Sequence, residues 1–302
     1  MGLLGINRRN AEYTLNYNPR HLYPLVDDKL RTKKIALQGA LAVPELYGVV
    51  ETEYQVRHLD DLLKSYSDFV IKPSRGSGGE GILVVSGRTK ELYRRIDGML
   101  LNSEEIDYHL FNIISGMYSL GGQPDKALIE YRVQFDPQFE SISYLGVPDI
   151  RVIVFLGVPV MSMVRLPTRI SGGKANLHQG AIGAGIDIAT GTTITAVWRN
   201  NIIAEHPDTG NSVTGVRIPR WDTLLAMAAR CYELTGLGYI GVDLVLDKDK
   251  GPLILELNAR PGLSIQLANR TGLLPRLKLV EQHHEELKNS EDRVAFSKQS
   301  FG

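Results

Sequence analysis

The stretch FVIKPSRGSGGEGI at residues 69–82 combines a lysine with closely spaced glycines. Gly76, Gly78 and Gly81 have the spacing G-x-G-x-x-G, and Lys72 precedes them by four residues. Glycines allow backbone N–H groups to approach phosphate oxygens closely, and a lysine at the end of a buried strand can direct its ammonium at the same phosphates. The stretch is therefore a candidate phosphate-binding loop.

The residues after the glycines exclude two common phosphate motifs. A dinucleotide-binding fingerprint requires the glycines to open a helix, whereas residues 82–85, ILVV, predict a strand. A Walker loop requires Gly-Lys followed by Ser or Thr, and the glycines here end in Glu80-Gly81-Ile82. Two interpretations stay open, namely a hairpin that covers a triphosphate and an exposed turn with a snorkelling lysine.

A second constellation lies in GYIGVDLVLDKDKGPLILELNARPG, residues 238–262. Asp243 and Glu256 interrupt apolar strands, and Asn258 shares a strand face with Glu256 because the two are two residues apart. Burying unpaired carboxylates is costly, and carboxylate and amide oxygens suit Mg²⁺. The set predicts a metal site, and the alternative is a pair of acids facing solvent on half-exposed strands.

Three weaker signals accompany these two. Glu130 and Tyr131 in ALIEYRV could line an adenine pocket, although an ordinary strand glutamate has the same pattern. Asp149 shares a strand face with Arg151, and Arg165 emerges from the return strand, which is also compatible with a surface ion pair. The glycine-rich SGGKANLHQGA supplies Lys174, Asn176 and His178, where the spacing alone does not make the histidine a catalyst.

The elements that position these residues mix strands and helices without regular alternation, which favours an α+β fold. Residues 1–28 predict extended or turn structure, and residues 88–122 predict an amphipathic helical segment. Two strand pairs are expected, at residues 150–165 around Gly157 and in the segment of the predicted metal ligands. The glycine-rich composition of residues 171–195 predicts an irregular loop.

Bulk composition excludes several classes of protein. The 302 residues carry 34 basic and 34 acidic side chains, so no net charge attracts nucleic acid or an anionic membrane. No apolar run approaches the length of a membrane span, and no secretory signal is present. The single Cys231 excludes an internal disulfide and fits a reducing compartment. We therefore expect a cytoplasmic, soluble protein.

The order of these motifs resembles the ATP-grasp ligases. The resemblance rests on DDKLRTK, FVIKPSRGSGGEGI, LIEYRV, DIRVIVF, ANLHQG and GVDLVL…LELNARPGL, which together span residues 27–263. It is closest to the RimK-type glutamate ligases, which add α-amino acids to peptide or protein termini. The N-terminal NRRN…YNPRHLYPLVDDK also looks like α-L-glutamate ligase-like proteins and ATP-grasp enzymes near sugar-transfer loci.

The resemblance implies two α+β lobes that hold ATP between them, and a role for each matching residue. Lys29 and Lys72 would contact phosphates, and Glu130, Tyr131 and Asp149 would surround the nucleotide. The glycines expected to cover the phosphates are Gly76, Gly78, Gly79 and Gly81. The residues expected to act in catalysis are Arg165, Lys174 and Asn176. Arg165 would hold the acid substrate or the acyl phosphate, and Lys174 and Asn176, together with Ala175, would approach the phosphates from their loop. The implied ligands for Mg²⁺, or Mn²⁺ in its place, are Asp243, Glu256 and Asn258.

The expected organisation departs from the family at the N-terminus. ATP-grasp ligases usually carry a separate domain before the first lysine, whereas only 28 residues precede Lys29. The expected divisions are an N-terminal extension at 1–28, a first lobe at 29–128 with a helical insertion at about 88–122, a second lobe at 129–290 and a flexible tail at 291–302. Three roles stay open for the insertion: replacing the missing surface, covering the site or binding a partner.

The implied activity is an ATP- and Mg²⁺-dependent ligation of a carboxylate to an amine through an acyl phosphate. The expected partners are glutamate or another amino acid and a peptide, protein or small amine acceptor, with no nucleic acid and no membrane. Two alternatives stay open, a non-catalytic ATP-binding or scaffold protein and a phosphotransferase with the same nucleotide grip. The NARPG segment and the absence of an H-R-D catalytic loop disfavour the phosphotransferase.

Overall fold

The computed structural model describes residues 2–76, 78–119 and 121–302. The chain divides into two compact units, which are described separately. The smaller unit comprises Asp28–Leu30 and Pro44–Val133, and the larger comprises Met1–Asp27, Arg31–Val43 and Gln134–Gly302. No helix among the described residues is long and apolar enough to cross a membrane.

The N-terminal segment is helical, so the prediction of extended or turn structure for residues 1–28 was wrong. Packing against the core of the larger unit explains the difference, because the Tyr13 ring is buried edge-on against Phe155 at 5.5 Å. Asn18 fixes the segment by donating to the carbonyl oxygens of Tyr239 and Ala259. The helices are α1 (Ile6–Arg8), a π-helical turn (Arg9–Thr14), α2 (Leu15–Tyr17), a 3₁₀ turn (Arg20–Leu22), α3 (Pro24–Asp27) and α4 (Lys29–Gln38).

The smaller unit is a six-stranded antiparallel sheet with helices packed on it. Its strand order is β1-β6-β2-β3-β4-β5, so the strand before the glycine loop, β2, lies between β6 and β3. Its elements are β1 (Leu46–Val50), α5 (Glu53–Arg57), α6 (Leu59–Leu63), β2 (Phe69–Pro73), β3 (Leu83–Thr89), β4 (Leu92–Arg95), β5 (Leu100–Leu101), α7 (Ser103–Ile114) and β6 (Ala127–Glu130).

The helical insertion predicted at about 88–122 is helical only in α7. Its first part forms β4 and β5, because a tight turn with Lys90 at φ 56° folds the chain back and buries Tyr93 in the sheet. The helix begins only where Asn102 and Glu105 form a reciprocal capping box, each side chain accepting from the other residue's backbone N–H. Long-range strand pairing therefore overrides the amphipathic pattern before residue 102.

The larger unit is built on a seven-stranded antiparallel sheet of order β11-β10-β9-β8-β7-β12-β13. The two predicted hairpins, β7–β8 and β12–β13, are confirmed. The strands are β7 (Asp149–Phe155), β8 (Val158–Leu166), β9 (Ile182–Ile186), β10 (Thr193–Trp198), β11 (Asn201–Ile203), β12 (Tyr239–Asp247) and β13 (Gly251–Asn258). The helices are α8 (Trp221–Thr235), α9 (Ile265–Asn269), α10 (Leu274–His283) and α11 (Ser290–Phe301), with 3₁₀ turns at Pro137–Ile142 and Leu177–Gln179.

The region 171–195, predicted to be an irregular loop, contains β9 and the start of β10. Two glycines inside β9 explain why its composition misleads. A Cβ at Gly183 would lie 2.9 Å from the Leu177 side chain, and a Cβ at Gly185 would lie 2.5 Å from the Ala268 carbonyl oxygen. These glycines therefore allow close packing on a strand and do not mark a loop.

The predicted flexible tail at 291–302 is instead a helix, α11. Asn289 caps it by accepting from the Asp292 N–H at 2.8 Å, and the helix buries Ser297 and Phe301. Glu291 and Asp292 are exposed, whereas Arg293 is buried, so the charge of the segment does not keep it from packing. The helix packs against β8 and α8.

We expect Phe301→Ala to lower the free energy of unfolding by about 3 kcal/mol, since truncating a buried aromatic ring leaves a cavity. The Arg276 guanidinium lies 5.2 Å from the centre of this ring and would lose that contact. Urea unfolding followed by circular dichroism measures the change, with Gln299→Ala as an exposed control on the same helix. Equal stability of the two variants would contradict the burial of the C-terminal helix.

Candidate active site

In the smaller unit, Lys72 and Glu130 form a buried ion pair. They lie on the neighbouring antiparallel strands β2 and β6, where Lys72 is paired with Leu128 and Glu130 with Val70. The two side chains therefore lean toward each other across one face, and Lys72 Nζ contacts Glu130 Oε1. Both residues are buried, so the pairing offsets the loss of hydration of each charge.

Lys29 is brought to the start of the glycine loop. Its Nζ donates to the Gly76 carbonyl oxygen at 2.6 Å, and its backbone N–H donates to the Ser74 carbonyl oxygen at 2.9 Å. Asp28 strengthens this junction by accepting from the Ser74 hydroxyl at 2.7 Å. Two predicted phosphate contacts, Lys29 and Gly76, thus touch each other. Asp28 holds Ser74 in place.

The glycine loop joins β2 to β3, as predicted, although residue 77 lies outside the described residues. Gly78, Gly79 and Gly81 have φ of 66°, 78° and 72°, a left-handed backbone that other residues rarely adopt. A Cβ at Gly81 would lie 2.6 Å from the Tyr118 ring. These positions therefore require glycine for conformation and, at Gly81, for space.

Two residues that the sequence did not suggest support this loop. His109 on α7 lies with its Nε2 3.0 Å from the Gly81 carbonyl oxygen, and Tyr118 packs on Gly81. Burial is the main cause that lowers the pKa of His109, which favours the neutral ring. Part of the 88–122 segment thus packs on the glycine loop within this unit.

Tyr131 directly follows the strand that carries Glu130. Its backbone N–H donates to the Glu45 carbonyl oxygen at 2.8 Å, so this donor already has a partner within the unit. The predicted contact of Tyr131 with an adenine edge stays a prediction and would have to use another group.

In the larger unit, six polar residues line one face of the sheet in register. Asp149 on β7 is opposite Arg165 on β8, and Asp243 on β12 is opposite both Arg151 on β7 and Glu256 on β13. Because cross-strand partners point to the same face, these side chains converge. We call the set the charged row; its members are Asp149, Arg151, Arg165, Asp243, Glu256 and Asn258.

Asp243 is the centre of the charged row. Arg151 donates to its two oxygens at 2.7 and 2.6 Å, and Arg165 donates to Oδ2 at 2.9 Å. Arg165 also forms a two-pronged contact with Asp149, through Nε at 2.8 Å and through its terminal nitrogen. Asn258 Nδ2 lies 3.3 Å from Asp243 Oδ2. The predicted ion pairs are therefore buried parts of one network rather than surface pairs.

The two aspartates of the network have opposite pKa shifts. Burial raises the pKa of Asp149 to about 6, although attraction to Arg165 opposes this. Burial alone would raise the pKa of Asp243 as well, but the attraction of Arg151 and Arg165 outweighs this effect and lowers the pKa of Asp243 to about 2. Arg165 loses hydration on burial, yet the two aspartates raise its pKa above the usual range. Asp243, with a cation on either side, therefore stays ionised to a lower pH than Asp149 does.

The predicted metal ligands fit a hard cation by chemistry and placement. Asp243 and Glu256 are cross-strand neighbours, and Asn258 lies two residues beyond Glu256, so two carboxylates and an amide share one face. Asp243 already accepts from both arginines, which leaves Glu256 and Asn258 as the half-buried members of the set. Among the described residues, no group of three or more His, Cys, Asp or Glu is placed to hold a metal ion.

The loop with Lys174 and Asn176 is folded on its own hydrogen bonds. Asn176 Oδ1 accepts from the His178 N–H at 3.0 Å, and the Asn176 carbonyl oxygen accepts from the Ala181 N–H at 3.0 Å. Lys174 is exposed and makes no ion pair in the part of the unit that the structure describes. The predicted contacts of Lys174 and Asn176 with phosphates stay predictions.

Solved structures of similar architecture are ATP-grasp and amino-acid ligases. The ligase PsnB complexed with minimal precursor, Mg and ADP aligns with TM-score 0.49 and 14% identity, covering 89% of this chain and 62% of PsnB. D-alanine–D-alanine ligase from Bacillus anthracis with ATP gives 0.46 and 14%, covering 92% and 66%. D-cycloserine synthetase DcsG gives 0.47 and 17%, covering 90% and 74%. The chain spans less than two-thirds of the length of PsnB and of the D-alanine ligase.

The comparison of the sequence with family models gives a more specific result than the comparison with solved structures. No curated protein matches the sequence. A family model described as sugar-transfer associated ATP-grasp matches residues 8–282, most of the chain and all the candidate residues above. This chain therefore has the ATP-grasp fold and belongs to the sugar-transfer associated ATP-grasp family.

Proposed function

We propose that this protein is an ADP-forming ligase that joins a carboxylate to an amine at the expense of ATP. The observation that carries the proposal is the charged row, which places three carboxylates, two arginines and an amide on one face of a sheet. Such a row can hold a cation and anionic oxygens side by side. Membership of the ATP-grasp family supports a nucleotide as one of the ligands.

The proposed roles follow the two units. In the smaller unit, Lys29, Lys72 and the glycine loop bind the phosphates, while Glu130 and Tyr131 line the adenine pocket. In the larger unit, Asp149 lies near the nucleotide, and Lys174 and Asn176 approach the phosphates. The metal ligands are Asp243, Glu256 and Asn258. When bound, Mg²⁺ would neutralise phosphate charge.

The proposed reaction has two displacements. A substrate carboxylate oxygen attacks the γ-phosphorus of ATP and the bond to the β-phosphate oxygen breaks, which gives an acyl phosphate and ADP. The amine nitrogen then attacks the acyl carbon, phosphate leaves and the nitrogen loses a proton. Arg165, held by Asp149 and Asp243, presents its guanidinium to the anionic oxygens. No side-chain nucleophile is required.

The substrate classes we propose are an amino acid, glutamate among them, and a peptide, protein or small amine acceptor. The resemblance of the motifs to those of RimK-type ligases makes glutamate the first amino acid to examine. The cytoplasm is the compartment that the single cysteine and the neutral charge favour.

A non-catalytic ATP-binding protein is the second candidate, and one observation favours it. Arg151 and Arg165 neutralise Asp243 within the network, so the buried carboxylate is stable without a metal.

A screen for ADP release tests the proposal. We expect ADP when ATP and Mg²⁺ are supplied with one amino acid and one acceptor, and we expect hydroxylamine to trap the acyl phosphate as a hydroxamate. Amino acids would be paired with peptides and amino sugars, and products followed by mass spectrometry. ADP release with a stable phosphorylated product would indicate a phosphotransferase. Nucleotide binding without ADP release for any pair would favour the scaffold protein.

A further inference from the structure

The larger unit contains a cavity of about 610 Å³ outside the charged row. Apolar side chains from separate parts of the chain line it, among them Leu177 after the Lys174 loop and Val197 on β10. Three more, Leu3, Ile202 and Leu267, are large hydrophobic residues that are 59%, 60% and 52% exposed. The cavity has the size of a small-molecule site. We call it the apolar pocket.

The charged residues that line the apolar pocket are cationic. Arg199 and Arg270 line it together with His178, and no acidic residue lines it within the described chain. Neither arginine is engaged in an ion pair in the residues that the structure describes. The pocket is therefore complementary to an anion attached to an apolar group.

The backbone holds both arginines in tight turns. Arg199 and Asn200 form the two-residue connection between β10 and β11, with φ of 48° and 68°, which is the geometry of a tight hairpin turn. Arg270 ends α9 with φ of 50°. The backbone positions from which the two arginine side chains extend are thus set by tight turns.

Strand register places the apolar pocket on the same face as the charged row. Arg165 is opposite Gly183, Gly183 is opposite Val197, and Val197 is opposite Ile202. Leu177 occupies the space above Gly183, where a Cβ would meet it at 2.9 Å. Val197 lies two strands from Arg165, a distance of about 10 Å.

We propose that the apolar pocket binds the amine acceptor of the ligation, and that this acceptor is peptide-sized, apolar in its body and carries a carboxylate. The proposal rests on the proposed function. The carboxylate lies against Arg199 and Arg270, the apolar body contacts Leu177 and Ile202, and the amine extends along the sheet face toward Arg165. A span of about 10 Å corresponds to about three extended residues.

Methyl NMR tests this proposal without turnover. The probes are the tripeptide Gly-Leu-Leu and its C-terminal amide, titrated into protein with ¹³C-labelled isoleucine δ1 methyl groups. We expect Gly-Leu-Leu to shift the Ile202 methyl signal saturably and the amide to bind at least about threefold more weakly. Arg199→Gln and Arg270→Gln should each weaken the acid and leave the amide almost unchanged.

The matched control is Arg217→Gln, an exposed arginine of the same unit that does not line the apolar pocket. It should leave both dissociation constants unchanged. An unmoved Ile202 signal, equal affinity for acid and amide, or equal effects of all three variants would overturn the proposal. The NMR titrations need no ATP, so their outcome does not depend on whether the protein releases ADP. If Gly-Leu-Leu binds the apolar pocket as expected but no pair in the screen releases ADP, only the proposed ligation is contradicted.

Discussion

Glu256→Gln is expected to reduce ADP release by about a hundredfold or more while leaving the fold intact. The substitution preserves size but replaces one acceptor oxygen with an NH₂ donor and removes one negative charge from the charged row. Glu256 lies opposite Asp243, which accepts from both arginines, so the substitution removes a carboxylate directly beside the centre of the row. Mg²⁺ binding, measured by calorimetry with a non-hydrolysable ATP analogue present, should weaken in parallel.

Asp243→Asn is the matched comparison, because it removes the same charge one strand away. We expect Asp243→Asn to differ from Glu256→Gln in its free energy of unfolding, because Arg151 and Arg165 would lose the carboxylate oxygen that both contact. We expect a loss of about 3 kcal/mol in the free energy of unfolding, together with the loss of activity. Urea unfolding of both variants separates the two roles. Full ADP release by Glu256→Gln would contradict the metal assignment, and an unchanged stability of Asp243→Asn would contradict the arginine network.

Only part of the charged row could be predicted from the sequence. Residues two apart on a strand share a face, so the neighbours Asp149 and Arg151, and Glu256 and Asn258, could be grouped from spacing alone. The partner of Asp243 could not, because Arg151 is 92 positions away and the β7–β12 pairing brings them together. The sequence therefore identified the acids and missed that arginines neutralise them.

The errors in the predicted elements have a common cause. Residues 88–101, the N-terminal segment and the C-terminal helix all have local patterns that favour another state. The side chains of Tyr93, Tyr13 and Phe301 are buried in cores that strands distant in the sequence complete. This packing determines the structure of the three regions. Where the local pattern and the packing agreed, as in the hairpins β7–β8 and β12–β13, the sequence was sufficient.

The second large effect is expected at Lys72. Lys72→Met should lower the free energy of unfolding by about 3–5 kcal/mol, because it leaves the Glu130 carboxylate in a buried site without its ammonium partner. If Lys72 also binds phosphate, the affinity for ATP should fall by about thirtyfold or more. A single variant cannot separate these effects, since a destabilised protein also binds nucleotide poorly.

The double variant Lys72→Met/Glu130→Leu separates them. Replacing both members of a buried ion pair with apolar groups is often neutral or stabilising, so stability in urea should return to within about 1 kcal/mol of the parent. ATP affinity, measured by calorimetry, should stay low, because the phosphate-binding ammonium is still missing. Glu130→Gln alone is the control that keeps the lysine. Recovery of both stability and ATP affinity in the double variant would mean that Lys72 serves the fold of the smaller unit and not the nucleotide.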